Sequence, residues 1–511
     1  MPDTSWWLRH RLAVALALIG LLSVPAFCHG FLNDMDTYTQ TADKLLRGGL
    51  LYRDTTDTKP PLMVLHYALI FWLAGGVSLV AVKLITVAML VASALALRRV
   101  HLALGGDARL ADLSVLLFVL GSFCGWGQDF LSSNTEIPAN LFILLGVWGL
   151  LAGDGEFRPW RLALAGASLG IAFLYRYQAG APLAAYVLLL SIERRPLRQS
   201  LPRLSALGAG FLLPAAVLVG YYAAIGQTGA LLVHLRLDTY YMRGFEFFWP
   251  ETTMRLLTGA ATVFQLALLA GLQAKAILSK RPISRQNLFL LLYLAVSLVT
   301  FVLGRRYYGH YLIASIPPLA LLAAARVAEG PDRRRARSRL VAWHRFWERH
   351  AVSFLALQVA TMWAANLGYY ATRPPEPPYA DLARVVGANT AREDRIFVWS
   401  EKTHLLLRVD RTYATRFLVK DFLVGRMYGT RHRWPEVRST AESAWAASVK
   451  ELWPILMSDL AAEKPKVIVD DQPENSAFTL DRYPPLRLLV AQHYGPCIRA
   501  DGFCVYLRRP E

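Results

Sequence analysis

Eleven apolar stretches, at residues 12–27, 77–97, 111–127, 137–152, 162–174, 178–192, 204–225, 255–278, 287–303, 310–327 and 351–371, constrain this chain more than any other feature. In a bilayer no water is available to satisfy the backbone, so such segments must be helices that make their hydrogen bonds internally. Charged residues make up only 18% of the chain, against about a quarter in a soluble globular protein, which excludes an ordinary soluble enzyme. An aromatic content of 12% excludes a disordered chain. Four cysteines in 511 residues exclude a disulfide scaffold and a multi-cysteine metal site. The fold class is a multi-pass α-helical membrane protein with about 11 transmembrane helices.

The first stretch follows Arg9 and Arg11, as a secretory signal would, but Ser23-Val24-Pro25-Ala26-Phe27-Cys28 is not a small-x-small cleavage site, so it is read as the first span. A further apolar run, Pro61 to Ala74, covers only about 21 Å at 1.5 Å per residue, against roughly 30 Å of hydrocarbon. It is read as interfacial or re-entrant. With it set aside, segments 1–11, 98–110, 153–161, 193–203, 279–285 and 328–350 lie on one side and carry 21 Lys and Arg. Segments 31–61, 127–136, 175–177, 226–254 and 304–309 lie on the other and carry nine. Basic residues collect on cytoplasmic loops, so the N-terminus is expected in the cytoplasm and the C-terminus outside. The net charge of +18 is then a matter of topology, and no nucleic-acid partner is implied.

Arg373-Pro374-Pro375-Glu376-Pro377-Pro378 ends the last span and reads as a linker. The chain divides into a membrane domain, 1–371, with a first outside loop at 31–61, and an extracytoplasmic domain, 372–511. In the latter, Asp381–Arg392 and Leu452–Ala462 read as helices, and Ile396–Ser400 and Val467–Asp470 as strands, which argues a small α/β domain. Leu486–His493 and Phe503–Leu507 read as two strands of a hairpin turned at Ala500-Asp501-Gly502. That hairpin would bring Cys497 and Cys504 together as a disulfide in an oxidising compartment.

The first outside loop carries Asp34 and Asp36 directly after a membrane helix, then Tyr38, Ala42, Gly48 and Lys59-Pro60-Pro61-Leu62. Two carboxylates so placed either cap a helix, take a proton or hold a divalent cation. The pattern resembles the GT-C glycosyltransferases that use polyprenyl-phosphate sugars, among them protein O-mannosyltransferases and lipid A aminoarabinose transferases. These carry an acidic residue after the first span, Tyr four residues on, Ala four further, a Gly-rich turn and Lys-Pro-Pro-Leu. The family often has Glu right after the first Asp, where this chain has Met35 and then Asp36. Whether Asp34 or Asp36 is catalytic stays open, with the spacing to Tyr38 favouring Asp34.

Two further clusters match the resemblance. Glu136, at the end of Gln128-Asp129-Phe130-Leu131-Ser132-Ser133-Asn134-Thr135, falls where the family places an acidic residue at helix re-entry, and it also suits a helix N-terminus. Arg305, Arg306, Tyr308 and His310 precede Pro317-Pro318 and resemble the family's segment before a late helix. Outward arginines go against the inside bias and suit phosphate oxygens through forked hydrogen bonds. Snorkelling to lipid headgroups is the other reading of them; Lys83, about one and a half turns into the span at 77–97, either snorkels too or faces the same cavity. The aromatic and charged loop holding His234, Arg236, Asp238, Tyr240, Tyr241, Arg243, Glu246 and Trp249 reads mostly as interface anchors.

The resemblance implies transfer of a sugar from a polyprenyl-phosphate carrier to a glycan, lipid or protein acceptor. The reaction would run on the outer face of a plasma membrane, in bacteria the inner membrane. Catalytic residues would be Asp34, Asp36 and Glu136; Lys59, Arg305, Arg306 and His310 would bind the donor phosphate, and Tyr38 and Tyr308 the substrate. A divalent cation on Asp34 and Asp36 is the one cofactor considered. A multi-pass transporter or lipid flippase is the alternative, and its spans should carry buried ionisable residues.

Overall fold

The computed structural model describes residues 4–510 except 33, 57–58, 153–156, 244–248, 281, 304–306, 330–338, 374–378, 401, 425–440, 447 and 472–477. The described chain forms two compact units. One comprises Met1–Asn33, Leu79–Gly220 and Trp249–Pro374, and the other Asp34–Ser78, Tyr221–Phe248 and Pro375–Glu511.

All eleven expected spans fall on helices. Among the described residues, seven are long and apolar enough to cross a membrane: His10–Phe27, Leu79–Ala103, Leu197–Ala224, Thr252–Ser279, Arg285–Leu303, Gly309–Glu329 and Arg345–Thr372. The remaining four lie on the shorter helices Ala108–Ser122, Glu136–Ala152, Pro159–Tyr175 and, after a 3₁₀ turn at Tyr177–Gly180, Ala181–Ile192. Local chemistry sets several ends. The Asp107 carboxylate accepts from the Leu110 N–H, and Pro159 opens its helix at the first turn. Helices Pro159–Tyr175 and Leu197–Ala224 approach so closely that a Cβ on Gly166 would overlap the Leu207 carbonyl oxygen, and one on Gly210 that of Ala163. Small residues at such crossings let packing, rather than water exclusion, hold membrane helices together.

Gly309–Glu329 is mostly buried inside this unit, whereas Leu197–Ala224 leaves Leu212, Leu213 and Val217 exposed, as a lipid-facing helix should. Ion pairs cluster at the segments expected in the cytoplasm and the adjoining span ends: Arg98 to Asp112, Arg195 and Arg285 to Glu193, and Arg326 to Glu348. Lys83 does not snorkel. It is buried, and its ammonium donates to the His29 carbonyl, so it satisfies the backbone just past the end of helix Thr4–Phe27.

The second unit is built on a five-stranded sheet of order β2-β1-β3-β5-β4. Its strands are β1 (Arg395–Trp399), β2 (Thr412–Tyr413), β3 (Val467–Asp470), β4 (Ile498–Ala500) and β5 (Phe503–Leu507). β1 pairs in parallel with β2 and β3, while β5 runs antiparallel to β3 and β4. Both faces are covered, which is why these strands read as continuous apolar runs. Ile396 and Val398 pack with Leu382, Val386 and Leu405 on one side; Phe397 and Trp399 pack with Trp453, Leu456 and Leu486 on the other.

Residues Leu486–His493 are helical, not a strand: the helix runs Pro484–His493. Two prolines at its start pre-set helical φ, and Leu486, Leu489 and Val490 share one face at i, i+3 and i+4 against the Trp399 side of the sheet. The hairpin partner of β5 is instead β4, turned at Asp501 (φ 47°) and Gly502 (φ 84°). Two positive φ values match the right-handed twist of the flanking strands. Cys497 and Cys504 are disulfide-bonded across this hairpin, with Cα atoms 5.3 Å apart. Thiol labelling of unfolded, unreduced protein should modify Cys28 and Cys124 only, and Cys504→Ser should cost about 2 to 3 kcal/mol. Labelling at 497 and 504 would reject the bridge.

Helix Met35–Leu46, in the loop after the first span, packs against the apolar helix Leu62–Ala74 and against β2, so it is buried on more than one face. Its Lys44 is 2% exposed, donates to the Thr415 carbonyl at 2.9 Å and lies 3.9 Å from the centre of the Tyr413 ring. Burial pulls this ammonium from 10.5 down to about 7. Between those values the unfolded chain holds a proton on Lys44 that the folded chain lacks, so the Lys44 contribution to stability rises with pH from 7 to 10.5 and is flat below 7. The slope is at most about 1.4 kcal/mol per pH unit. Melting of the second unit between pH 7 and 9 should therefore shift upward, and Lys44→Met should flatten the shift. An unchanged slope in Lys44→Met would assign the pH dependence elsewhere.

Candidate active site

Two polar centres carry the residues singled out in the sequence, one in each unit. In the second unit, Asp34 precedes helix Met35–Leu46 in the N-cap position, yet its carboxylate makes no capping hydrogen bond. Its side chain is 39% exposed, and its Oδ2 lies 3.3 Å from the Lys59 ammonium. Asp36 is engaged differently. Its Oδ1 accepts from the Thr37 N–H at 2.8 Å, and its Oδ2 accepts from the Thr403 hydroxyl.

The turn that returns Lys59 to Asp34 is held by Tyr52, whose phenol donates to the Lys59 carbonyl at 3.0 Å and whose ring stacks on His234 at 3.9 Å. Tyr52 sits at φ 65°, a left-handed conformation costly for an aromatic residue, and the Tyr222 hydroxyl fixes the Leu51 carbonyl beside it. Tyr38 is buried, with its ring 5.6 Å from that of Tyr67.

In the first unit, Glu136 opens helix Glu136–Ala152 and is 2% exposed. Arg176, at the junction of two short helices, pairs directly with its Oε1, and the Arg176 guanidinium also lies 3.9 Å from the centre of the Tyr311 ring. His310 is buried between two carboxylates: Nδ1 donates to Asp129 Oδ1 at 2.8 Å, and Nε2 lies 3.8 Å from Glu136 Oε1. Tyr308 stacks on His310 at 5.4 Å, and the Arg255 guanidinium lies 4.4 Å from the centre of the Tyr308 ring. A cavity beside this chain is lined by Glu136, Arg176, Gln178, Thr300 and Tyr311. Gly309 permits the arrangement, since a Cβ there would lie 2.7 Å from Asp129 Oδ2.

Arg305 and Arg306 lie outside the described residues, as does Glu246; the side chains of Arg236, Asp238, Tyr240, Tyr241, Arg243 and Trp249 are likewise not described. Among the described residues, no three His, Cys, Asp or Glu side chains converge as a metal ion requires. Sequence reasoning missed Arg176, Arg255 and Thr403. A lone Arg between two short apolar helices was the available signal for Arg176; Thr403 had none, because it meets Asp36 from 367 residues away.

No protein-family model matches the chain, and no curated protein sequence does. Solved structures do match. ArnT from Cupriavidus metallidurans, bound to undecaprenyl phosphate, superposes with a TM-score of 0.63 at 13% identity, covering 99% of this chain and 100% of that one. The Archaeoglobus fulgidus oligosaccharyltransferase AglB, in complex with an inhibitory peptide and a dolichol-phosphate, gives a TM-score of 0.54 at 14% identity, covering 100% of this chain and 75% of that one. Multiple apolar helices, a small C-terminal sheet domain and these near-full-length superpositions give this membrane protein the fold seen in the ArnT and AglB structures.

Proposed function

We propose that this protein transfers a sugar from a polyprenyl-phosphate carrier to an acceptor hydroxyl on the extracytoplasmic face of the membrane. The observation that carries the reading is Asp34: a partly exposed carboxylate, released from capping and placed beside a lysine, directly after the first membrane helix of a chain with the fold seen in the ArnT and AglB structures. The ArnT and AglB structures hold polyprenyl phosphates, which supports this class of donor.

In the proposed step the acceptor oxygen attacks the anomeric carbon as Asp34 takes its proton. The bond from that carbon to the phosphate oxygen breaks, and its electron pair leaves with the polyprenyl phosphate. One displacement inverts the anomeric centre. Negative charge grows on the leaving phosphate, so a nearby cation stabilises the transition state more than the ground state. Lys59 supplies that cation. Arg305 and Arg306 keep the phosphate role proposed from sequence. Asp36, with both carboxylate oxygens engaged by the protein, holds the start of the helix that Asp34 precedes. Glu136 orients His310 and fixes Arg176 at the second centre.

The N-terminus is proposed to face the cytoplasm and the sheet domain the outside. The disulfide in that domain supports the placement. The test is incubation of purified protein with a panel of radiolabelled polyprenyl-phosphate sugars and cell-envelope fractions. Label should move to an acceptor from one donor class, and absence of transfer from every donor would favour the transporter or flippase reading.

A further inference from the structure

Among the described residues, hydrogen bonds and an ion pair within the second unit join the acidic loop to residues 403–416 of the C-terminal domain. The Thr403 hydroxyl donates to Asp36 Oδ2. Arg47 reaches Asp410 at 3.2 Å, and Lys44 donates to the Thr415 carbonyl at 2.9 Å. The backbone N–H and hydroxyl of Thr56 both donate to the Arg416 carbonyl, at 2.7 and 2.9 Å. Arg416 is itself fixed, because its guanidinium forms a two-pronged pair with Asp459 on the helix Trp453–Glu463.

These contacts grip both ends of the loop. Thr403 holds the first turn of helix Met35–Leu46, two residues from Asp34. Arg416 holds Thr56, three residues from Lys59. The two side chains that meet as the Asp34–Lys59 pair are therefore carried on segments whose positions are set by β2 and its flanks.

We propose that the C-terminal α/β domain is a positioning template for the reacting loop, with Thr403, acting through Asp36, as the positioning residue that sets the place of Asp34. Thr403 is 3% exposed, and its hydroxyl hydrogen bonds to a carboxylate, a charge-assisted bond of the stronger kind. A valine in its place keeps the shape and loses the donor. The helix start is then free to turn, and a general base misplaced by about 1 Å loses on the order of 10²-fold in rate. This assignment rests on the proposed role of Asp34, so one arm of its test is independent of activity.

Thr403→Val, Thr403→Ser, Asp36→Asn and the Thr403→Val/Asp36→Asn double variant of the full chain in nanodiscs provide the test. Hydrogen exchange of the amides at 35–40 should rise in Thr403→Val and return to wild type in Thr403→Ser. Where wild type transfers sugar, Thr403→Val should lower kcat at least tenfold with donor KM within twofold. The double variant should be no slower than the slower single, because both substitutions remove one contact. Wild-type exchange in Thr403→Val, or independent, multiplying losses in the double variant, would overturn the proposal. If Asp34→Asn keeps full activity while exchange behaves as expected, the role of Asp34 fails and the template stands.

Discussion

Asp34→Asn is expected to lower sugar transfer by about 10² to 10⁴-fold, the usual loss when general-base chemistry is removed, with no change in the amount of folded protein. The amide keeps the shape and can still accept a hydrogen bond from Lys59, but it cannot take the acceptor's proton. The Asp34 side chain makes no capping hydrogen bond and is 39% exposed, and a part-exposed ion pair such as Asp34–Lys59 contributes little to stability. Asp36→Asn should act more mildly: its two oxygens accept from Thr37 and Thr403, and the amide oxygen keeps the bond from the Thr37 N–H while the carboxylate acceptor for Thr403 is lost. Rates of the two variants against circular dichroism of the same samples check both statements. A dead Asp36→Asn beside an Asp34→Asn of wild-type rate would reverse the assignment.

The largest stability effect is expected at the other centre. Glu136 and Arg176 are 2% and 9% exposed, and each is the other's direct ion-pair partner. Removing one charge strands its partner away from water, which typically costs about 3 to 5 kcal/mol. Arg176→Gln should therefore unfold the first unit at a markedly lower temperature than wild type. Glu136→Gln together with Arg176→Gln should recover much of that loss, because two neutral amides leave no stranded charge. A double variant as unstable as the single would mean that the two charges do not act as a pair.

Helices, sheet and site were legible in the sequence to different degrees, for physical reasons. Hydropathy found the membrane helices because lipid imposes one solution on every long apolar stretch. β1 and β3 were legible because strands covered on both faces become unbroken apolar runs, as in Ile396-Phe397-Val398-Trp399 and Val467-Ile468-Val469. Residues 486–493 were misread since Leu486-Arg487-Leu488 alternates over its first three residues, while the deciding signal, Pro484-Pro485, lies just outside the run.

The acidic loop was legible because its chemistry is local, with Asp34 and Lys59 inside one segment between apolar helices. Its supports were not. Thr403 and Arg416 are ordinary residues in sequence, and only the fold brings them to Asp36 and Thr56. Lys83 shows the converse: a charge in a span suggests snorkelling, but a carbonyl left over at a helix end was closer.

The central claim is a single displacement at the anomeric carbon, assisted by Asp34, and the configuration of the product's glycosidic bond reports on it most directly. NMR coupling constants of the transferred sugar, compared with those of the polyprenyl-phosphate donor, should show the opposite anomer. A retained anomer would require a covalent sugar–carboxylate intermediate and two displacements, and would contradict the account.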